Sequence, residues 1–352
     1  MRAAVYHGRG DVRIEEVADA RWPGPGEVRL RVLAASVCGT DVAEYDRGPH
    51  LIPIVRRHLG SGHLGPVILG HEMVGVVEQA GPGVELKPGQ RVVPGCGAWC
   101  GDCGWCRTGR PNLCARYYTF GLQADGGLAE MVTVPAYMCR PVPQRLRDEH
   151  APLAQPMSIA LHAVRRAGGQ PGEPVLLIGA GGIGAFILAA LQARGLGPLL
   201  VADISVERLR RAGRIAPAQH LDASGMGAAD AVLEATAGEG AALVVEASGS
   251  PAGLRLALGS VRRGGRVALV GLQTESPALD LHDLVIREVD LVTSNAHICE
   301  QDLPEALDVL AASGLGDVVM DRMIRLDRLV PDGLQAMAEG RVNGKVVVRL
   351  TQ

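Results

Sequence analysis

The 352-residue chain lacks an excess of charge of either sign, a long apolar run, an internal repeat and a low-complexity tract. Its formal net charge is −3 and the charges are scattered, which argues against nucleic acid or an anionic membrane as the main partner. No apolar stretch is long enough to span a bilayer. The opening Met1-Arg2-Ala3-Ala4-Val5-Tyr6-His7 reads as a strand and has no signal-peptide h-region. The expected location is therefore cytoplasmic. A chain of this length is too long for one ordinary core, so two domains are expected.

Cysteine is present but is not distributed as a disulfide framework. Five of the eight cysteines (38, 96, 100, 103, 106, 114, 139 and 299) fall between positions 96 and 114. Without a secretory signal, that clustering reads as metal binding in a reducing compartment. Cys100, Cys103, Cys106 and Cys114 follow the spacing C-x2-C-x2-C-x7-C. Four close thiolates complete a tetrahedron and suit a structural zinc that pins a loop. Cys96 precedes the run as an alternative ligand of poorer spacing. Cys96, Cys139 and Cys299 otherwise read as small buried hydrophobes. Apart from Arg107 and Arg110 the loop lacks interleaved basic and aromatic residues, which counts against a nucleic-acid zinc module.

Residues 1 to about 150 alternate short β-prone runs, such as Val28 to Val32 and Val74 to Val77, with Gly/Pro turns. This predicts a β-rich, barrel-like domain. Residues 46 to 66, with several Pro, Gly and His, read as a long irregular loop. From about 151 the pattern changes. Pro156 to Ala167 reads as a helix. Strand Pro174 to Ile178, helix Gly182 to Arg194, strand Leu199 to Asp203 and helix Ser205 to Gly213 then alternate. Further strands are expected at 243–246, 266–271 and 291–294. The alternation predicts a doubly wound parallel sheet. A helix over Asp302 to Ala312 and a strand over Lys345 to Leu350 close the chain, the latter able to return to the first domain.

Gly179-Ala180-Gly181-Gly182-Ile183-Gly184 follows an apolar strand and opens a helix, as a dinucleotide fingerprint must. Gly179 permits the tight turn, Gly181 lets backbone approach a pyrophosphate, and Gly184 allows close helix–strand packing. Asp203 ends the next strand, where a carboxylate accepts from a ribose 2′-hydroxyl and repels a 2′-phosphate; NAD is favoured over NADP. Arg208, Arg210 and Arg211 read mainly as a solvated helix face, with Arg208 a candidate cofactor contact.

Cys38, His71 and Glu72 are a further candidate set, although spacing alone assigns them no metal. Taken in order, Cys38-Gly39-Thr40-Asp41, Gly70-His71-Glu72, the four-cysteine loop and Gly179 to Gly184 resemble the zinc-containing medium-chain dehydrogenases along essentially the whole chain. The stretch from Glu44 to Pro49 and from Gly65 to Glu72 is most similar to the 2,3-butanediol branch, with polyol and threonine dehydrogenases close by. The resemblance implies an α/β chain with a central Rossmann doubly wound parallel sheet plus a discontinuous, β-rich, GroES-like catalytic domain. Its expected bounds are 1–155 with 297–352 for the zinc-binding catalytic domain and 156–296 for the NAD-binding domain. It further implies two zincs per subunit: one catalytic, on Cys38, His71 and Glu72, and one structural, on the four cysteines. A homodimer or homotetramer is usual in the family.

Two positions depart from the branch. Gln155 stands where a Glu is usual, which leaves fewer carboxylates at the metal. This implies either a more electrophilic ion, with the amide oxygen able to coordinate or to hold the metal-bound water, or a neutral substitution with water as fourth ligand. Ala43 stands where a relay His is common, so Thr40 offers the remaining hydroxyl for proton transfer, with His50 as a substitute imidazole. Arg56, Arg57, His58 and His63 read as a solvated loop or, less simply, as substrate contacts. The reading that follows is an NAD-dependent zinc dehydrogenase interconverting a secondary alcohol, expected to be a vicinal diol such as 2,3-butanediol, and its acetoin-type ketone. The alternatives are a larger polyol, cyclitol or secondary-metabolite alcohol, and, from another class, a dinucleotide-binding sensor without turnover.

Overall fold

The computed structural model describes residues 1–225, 227–273 and 275–351. The chain divides into two compact units, Met1–Ser158 with Ile298–Gln352, and Ile159–His297. In chain order the first unit contributes β1 (Arg2–Gly8), β2 (Asp11–Glu16), β3 (Glu27–Ser36), α1 (Gly39–Arg47), β4 (Val67–Ile68), β5 (Glu72–Ala80) and β6 (Arg91–Pro94). It continues with β7 (Gly97–Ala98), α2 (Gly104–Arg107), β8 (Tyr118–Thr119), β9 (Met131–Pro135) and β10 (Cys139–Pro141), and α3 (Ala154–Ala167) starts in this unit and runs past the division at Ser158. The second unit holds β11 (Pro171–Ile178), α4 (Gly182–Ala193), β12 (Gly197–Asp203), α5 (Val206–Ala212), β13 (Gln219–Asp222) and α6 (Ala228–Ala235). It closes with β14 (Ala241–Glu246), α7 (Pro251–Ser260), β15 (Val261–Leu269), α8 (Leu281–Arg287) and β16 (Asp290–Thr293). The chain then returns to the first unit through α9 (Cys299–Ala312), β17 (Met320–Arg325) and β18 (Lys345–Arg349).

In the first unit the main sheet runs β10-β6-β5-β3-β18-β17, with β9 also on β3. β3 is the inner strand, so its Val28, Leu30 and Val32 are buried. β5 pairs with β3 antiparallel with Ser36 opposite Glu72, and β18 pairs with β3 with Val347 opposite Ser36. One end of β3 therefore collects residues from three distant parts of the sequence. The final strand does return to the first unit, as its alternating pattern suggests.

In the second unit a parallel sheet runs β13-β12-β11-β14-β15-β16. That is the doubly wound order 3-2-1-4-5-6. Strands covered on both faces need continuous apolar runs, and Leu176, Ile178, Leu200, Ala202, Val244 and Val267 form the buried core. The elements read from sequence are present with shifted ends. β15 starts at Val261, because Val261 already pairs with Ala241 before the register slips around Arg262–Gly265.

Other elements carry no strong pattern. β13 is a short edge strand, Gln-His-Leu-Asp, with one buried side chain. α1 has a mostly polar sequence and is fixed at its start by a capping box between Cys38 and Asp41. The irregular segment expected over 46–66 begins after α1 and lasts until β4.

Candidate active site

β3 delivers the chain to Cys38, which caps α1 in an extended conformation. Its backbone N–H donates to Asp41 Oδ2 at 2.9 Å. The other oxygen of that fully buried carboxylate, Oδ1, lies 3.5 Å from His71 Nδ1. A carboxylate on one ring nitrogen fixes the imidazole and leaves the other nitrogen for a metal. His71 immediately precedes β5, so the Ser36–Glu72 register brings it to Cys38. The ligand atoms of Cys38, His71 and Glu72 lie within 4.8 Å of one another. One thiolate, one imidazole and one carboxylate make a zinc donor set that leaves a coordination position for substrate.

Burial disfavours the imidazolium of His71, but the charges of Asp41 and Cys38 outweigh it and hold the ring's pKa well above its ordinary value. Thr40 Oγ1 sits 3.7 Å from Cys38 Sγ. Gln155 is 1% exposed near the start of α3, just after the turn Ala151–Leu153 that packs on β3 and β5. Among the described residues its Oε1 has no hydrogen-bond partner. A buried amide oxygen left without a donor suits a cation or a bound polar group.

Glu72 also touches a residue that the sequence reading did not identify. Both its oxygens meet the Lys345 ammonium, at 2.8 Å and 2.6 Å, and Oε2 also accepts the hydroxyl of Ser36. Lys345 is buried at the start of β18. Burial pulls its pKa down, yet Glu72, Cys38 and Asp41 raise it on balance. Its signal in the sequence is a lysine at the head of an otherwise apolar strand.

The loop residues do not join this cluster. His50 is exposed, and its backbone N–H, not its ring, is engaged by the buried Glu44 carboxylate. Arg56 and Arg57 are exposed, the latter donating to Gly62 O, while His58 and His63 bond within the loop.

Around α2 the four cysteines converge. Sulfur separations are 3.4 Å for Cys100–Cys114, 3.5 Å for Cys103–Cys106 and 3.9 Å for Cys100–Cys106. A tetrahedron with Zn–S near 2.3 Å has an edge of about 3.8 Å, so the set fits zinc and is too open for disulfides. The backbone N–H groups of Cys100 and Arg116 donate to Cys114 Sγ. N–H groups of Cys106 and Ala115 pull the Cys103 thiol down to about 6. Cys96 stands apart, 3.6 Å from the Tyr117 hydroxyl. Cys139 and Cys299 are buried, with Cys299 against Met138 O.

In the second unit Gly179 has φ +90°, and a Cβ there would meet Ser248 N at 2.8 Å; at Gly184 it would meet Gly179 O at 1.8 Å. Only glycine fits either place. A cavity of about 770 Å³ opens here, lined by Gly179, Gly181, Gly182, Ile183, Asp203 and Arg208 among others. Asp203 is buried, accepting Ala180 N at 2.7 Å and Ser205 N at 2.8 Å, with the Arg208 guanidinium 3.7 Å away. Arg208 and Arg210 are solvent-exposed, but Arg211 is not part of that solvated face. It is 7% exposed and donates to Ala180 O at 2.8 Å, bracing the glycine turn from behind. Glu246 was also not identified from sequence. It is fully buried at the end of β14 and accepts Ser248 N and Gly249 N, which hold the opposite rim.

Residues 24–144 match the family described as alcohol dehydrogenase GroES-like domain, and residues 182–312 match zinc-binding dehydrogenase. The chain is 32% identical to the sorbitol dehydrogenase of Bacillus subtilis, over 83% of this chain and 81% of that one. It is 30% identical to the (R,R)-butanediol dehydrogenase of the same organism, over 99% of each. The crystal structure of 2R,3R-butanediol dehydrogenase from Bacillus subtilis superposes with a TM-score of 0.91 at 29% identity, over 99% of both chains. The chain belongs to the zinc-containing medium-chain alcohol dehydrogenase family. It is accordingly a zinc-dependent alcohol dehydrogenase with a Rossmann unit and a GroES-like unit.

Metal uptake at Cys38, His71 and Glu72 must displace the proton that Asp41 and Cys38 stabilise on His71. With that pKa raised, protons compete at pH values above the ordinary histidine range. Affinity at this site, measured by chelator competition, should rise with pH through and beyond neutrality. A flat profile between pH 6 and 8 contradicts the raised pKa (about 6.5 is the unperturbed value).

Proposed function

We propose that this dehydrogenase interconverts a vicinal diol of the 2,3-butanediol type and its acetoin-type hydroxyketone with NAD(H). The convergence of Cys38, His71 and Glu72 carries the reading. The match to butanediol dehydrogenase over 99% of both chains supports the substrate class. On this reading residues 1–155 and 297–352 form the catalytic domain and 156–296 the cofactor domain, with one catalytic and one structural zinc per subunit.

When bound, zinc lowers the pKa of a substrate hydroxyl and polarises the carbonyl in reverse, and NAD exchanges the hydride. Cys38, His71 and Glu72 hold the ion, and Asp41 keeps the His71 ring turned toward it. The Thr40 hydroxyl, beside Cys38, receives the substrate proton and passes it outward, in the absence of an imidazole at Ala43. Gly181 and the α4 N-terminus receive the pyrophosphate. Asp203 accepts from the ribose and would repel a 2′-phosphate, which favours NAD over NADP. Arg208 covers the same carboxylate from solvent. Eight unpaired thiols suit a reducing, cytoplasmic setting.

A second reading, a longer polyol or cyclitol alcohol, draws on Gln155, Ala43 and the sorbitol dehydrogenase relative. A homodimer is also proposed. β16 is an edge strand, and Leu281, Val285, Ile286 and Leu291 beside it are exposed. An uncovered apolar edge suits a second copy related by a two-fold axis.

Zinc-loaded protein offered the butanediol stereoisomers, sorbitol and threonine should form NADH fastest with one butanediol isomer, and little NADPH. Turnover confined to sorbitol would move the assignment to the second reading, and none on any of them would remove both. The pH–rate profile gives a further expectation. A second carboxylate beside the metal disfavours loss of the substrate proton, so Gln155→Glu should shift the apparent pKa upward; an unchanged profile places Gln155 away from the reacting atoms. Light scattering should give the mass of two chains or a multiple, reduced by Val285→Glu together with Ile286→Glu. Wild-type protein running as one chain refutes the dimer.

A further inference from the structure

Glu72 has two cations competing for the same two oxygens. Its carboxylate lies within 4.8 Å of the donor atoms of Cys38 and His71. Yet Oε1 is 2.8 Å and Oε2 2.6 Å from the Lys345 ammonium, and Oε2 also takes the Ser36 hydroxyl. Glu72 and Lys345 are 1% and 6% exposed, so water screens neither. The Cys38 thiolate, the Glu72 carboxylate and the buried Asp41 carboxylate beside His71 sum to −3, and Lys345 brings the group to −2. Removing Lys345 leaves a divalent ion placed there with one more uncompensated negative charge around it.

We infer that Lys345 is a positioning residue that divides Glu72 between an ion pair and the metal, and so keeps the metal at Cys38 and His71 weakly held and electrophilic. The inference rests on the proposed metal site at Cys38, His71 and Glu72. An ammonium is a compact point charge that can yield an oxygen as the carboxylate swings. A guanidinium in its place would grip both oxygens as a planar fork. A methionine of similar length would release both. The ordering of metal affinity should therefore be Lys345→Met above wild type above Lys345→Arg.

The test replaces only the ion at this site with Co²⁺, keeping zinc on the four cysteines. It measures Co²⁺ affinity by chelator competition and the visible d–d absorption. Lys345→Met should bind Co²⁺ about tenfold or more tightly, from the loss of one nearby buried charge, with a changed absorption envelope as Glu72 joins the ion. Lys345→Arg should bind more weakly than wild type. If Lys345→Met does not fold, the wild-type and Lys345→Arg pair still decides the matter. Equal affinities and identical spectra would make Lys345 merely structural. Weaker binding in Lys345→Met would mean that the lysine presents Glu72 to the metal, and that also overturns the inference. If wild-type protein and Cys38→Ser take up the same number of Co²⁺ ions, the metal site itself is wrong and the failure lies there, not with Lys345.

Discussion

The insertion of β18 beside β3 is the constraint on which the catalytic unit depends. It carries Lys345 to Glu72 across 273 residues of sequence and closes a buried ion pair at the end of the sheet. Removing one partner of such a pair strands a buried charge, at a cost of about 3–5 kcal/mol. The same strand register sets Ser36 against Glu72, and the residues just beyond that pair, Cys38 and His71, bring their ligand atoms within 4.8 Å of one another and of Glu72. Residues from three places in the sequence thus meet because three strands keep register. Asp41 adds a second brace, capping α1 at Cys38 while facing His71.

Local motifs were legible where one stretch of chain makes the whole site. The four cysteines lie within fifteen positions, and their spacing alone implies the sulfur tetrahedron. Gly179 to Gly184 announces its turn because only glycine tolerates the backbone contacts there, and Asp203 follows at the end of the next strand. Long-range partners were not legible. Lys345 reads as an ordinary polar start to a strand until β18 is placed. Arg211 looks like its exposed neighbours Arg208 and Arg210, because a seven-residue helix gives no sharp inner face. Glu246 and Asp41 are acidic residues whose partners are neighbouring backbone groups, the Ser248 hydroxyl in the case of Glu246, and residues brought close by folding. β13 and α1 escaped notice for a related reason: their stability comes from neighbours and caps, not from apolar period.

Specificity within the family rests on a few side chains around a common donor set. Gln155 supplies an amide oxygen where a carboxylate would add charge, and Ala43 removes an imidazole from the proton path. On the proposed reading Gln155 and Lys345 both leave less negative charge on the metal, while Ala43 bears on the proton path alone. The loop after α1 is braced by its own contacts and by Glu44, which receives the backbone N–H groups of His50 and Leu51. Its arginines Arg56 and Arg57 are exposed.

The central claim is that alcohol oxidation depends on a metal at Cys38, His71 and Glu72, separate from the ion on the four cysteines. Metal analysis of wild type and Cys38→Ser, with NADH binding followed by fluorescence in the same samples, tests it most directly. The account predicts two zincs in wild type, one in Cys38→Ser, loss of turnover in that variant, and NADH bound equally by both. Two zincs retained in Cys38→Ser with turnover intact would contradict it.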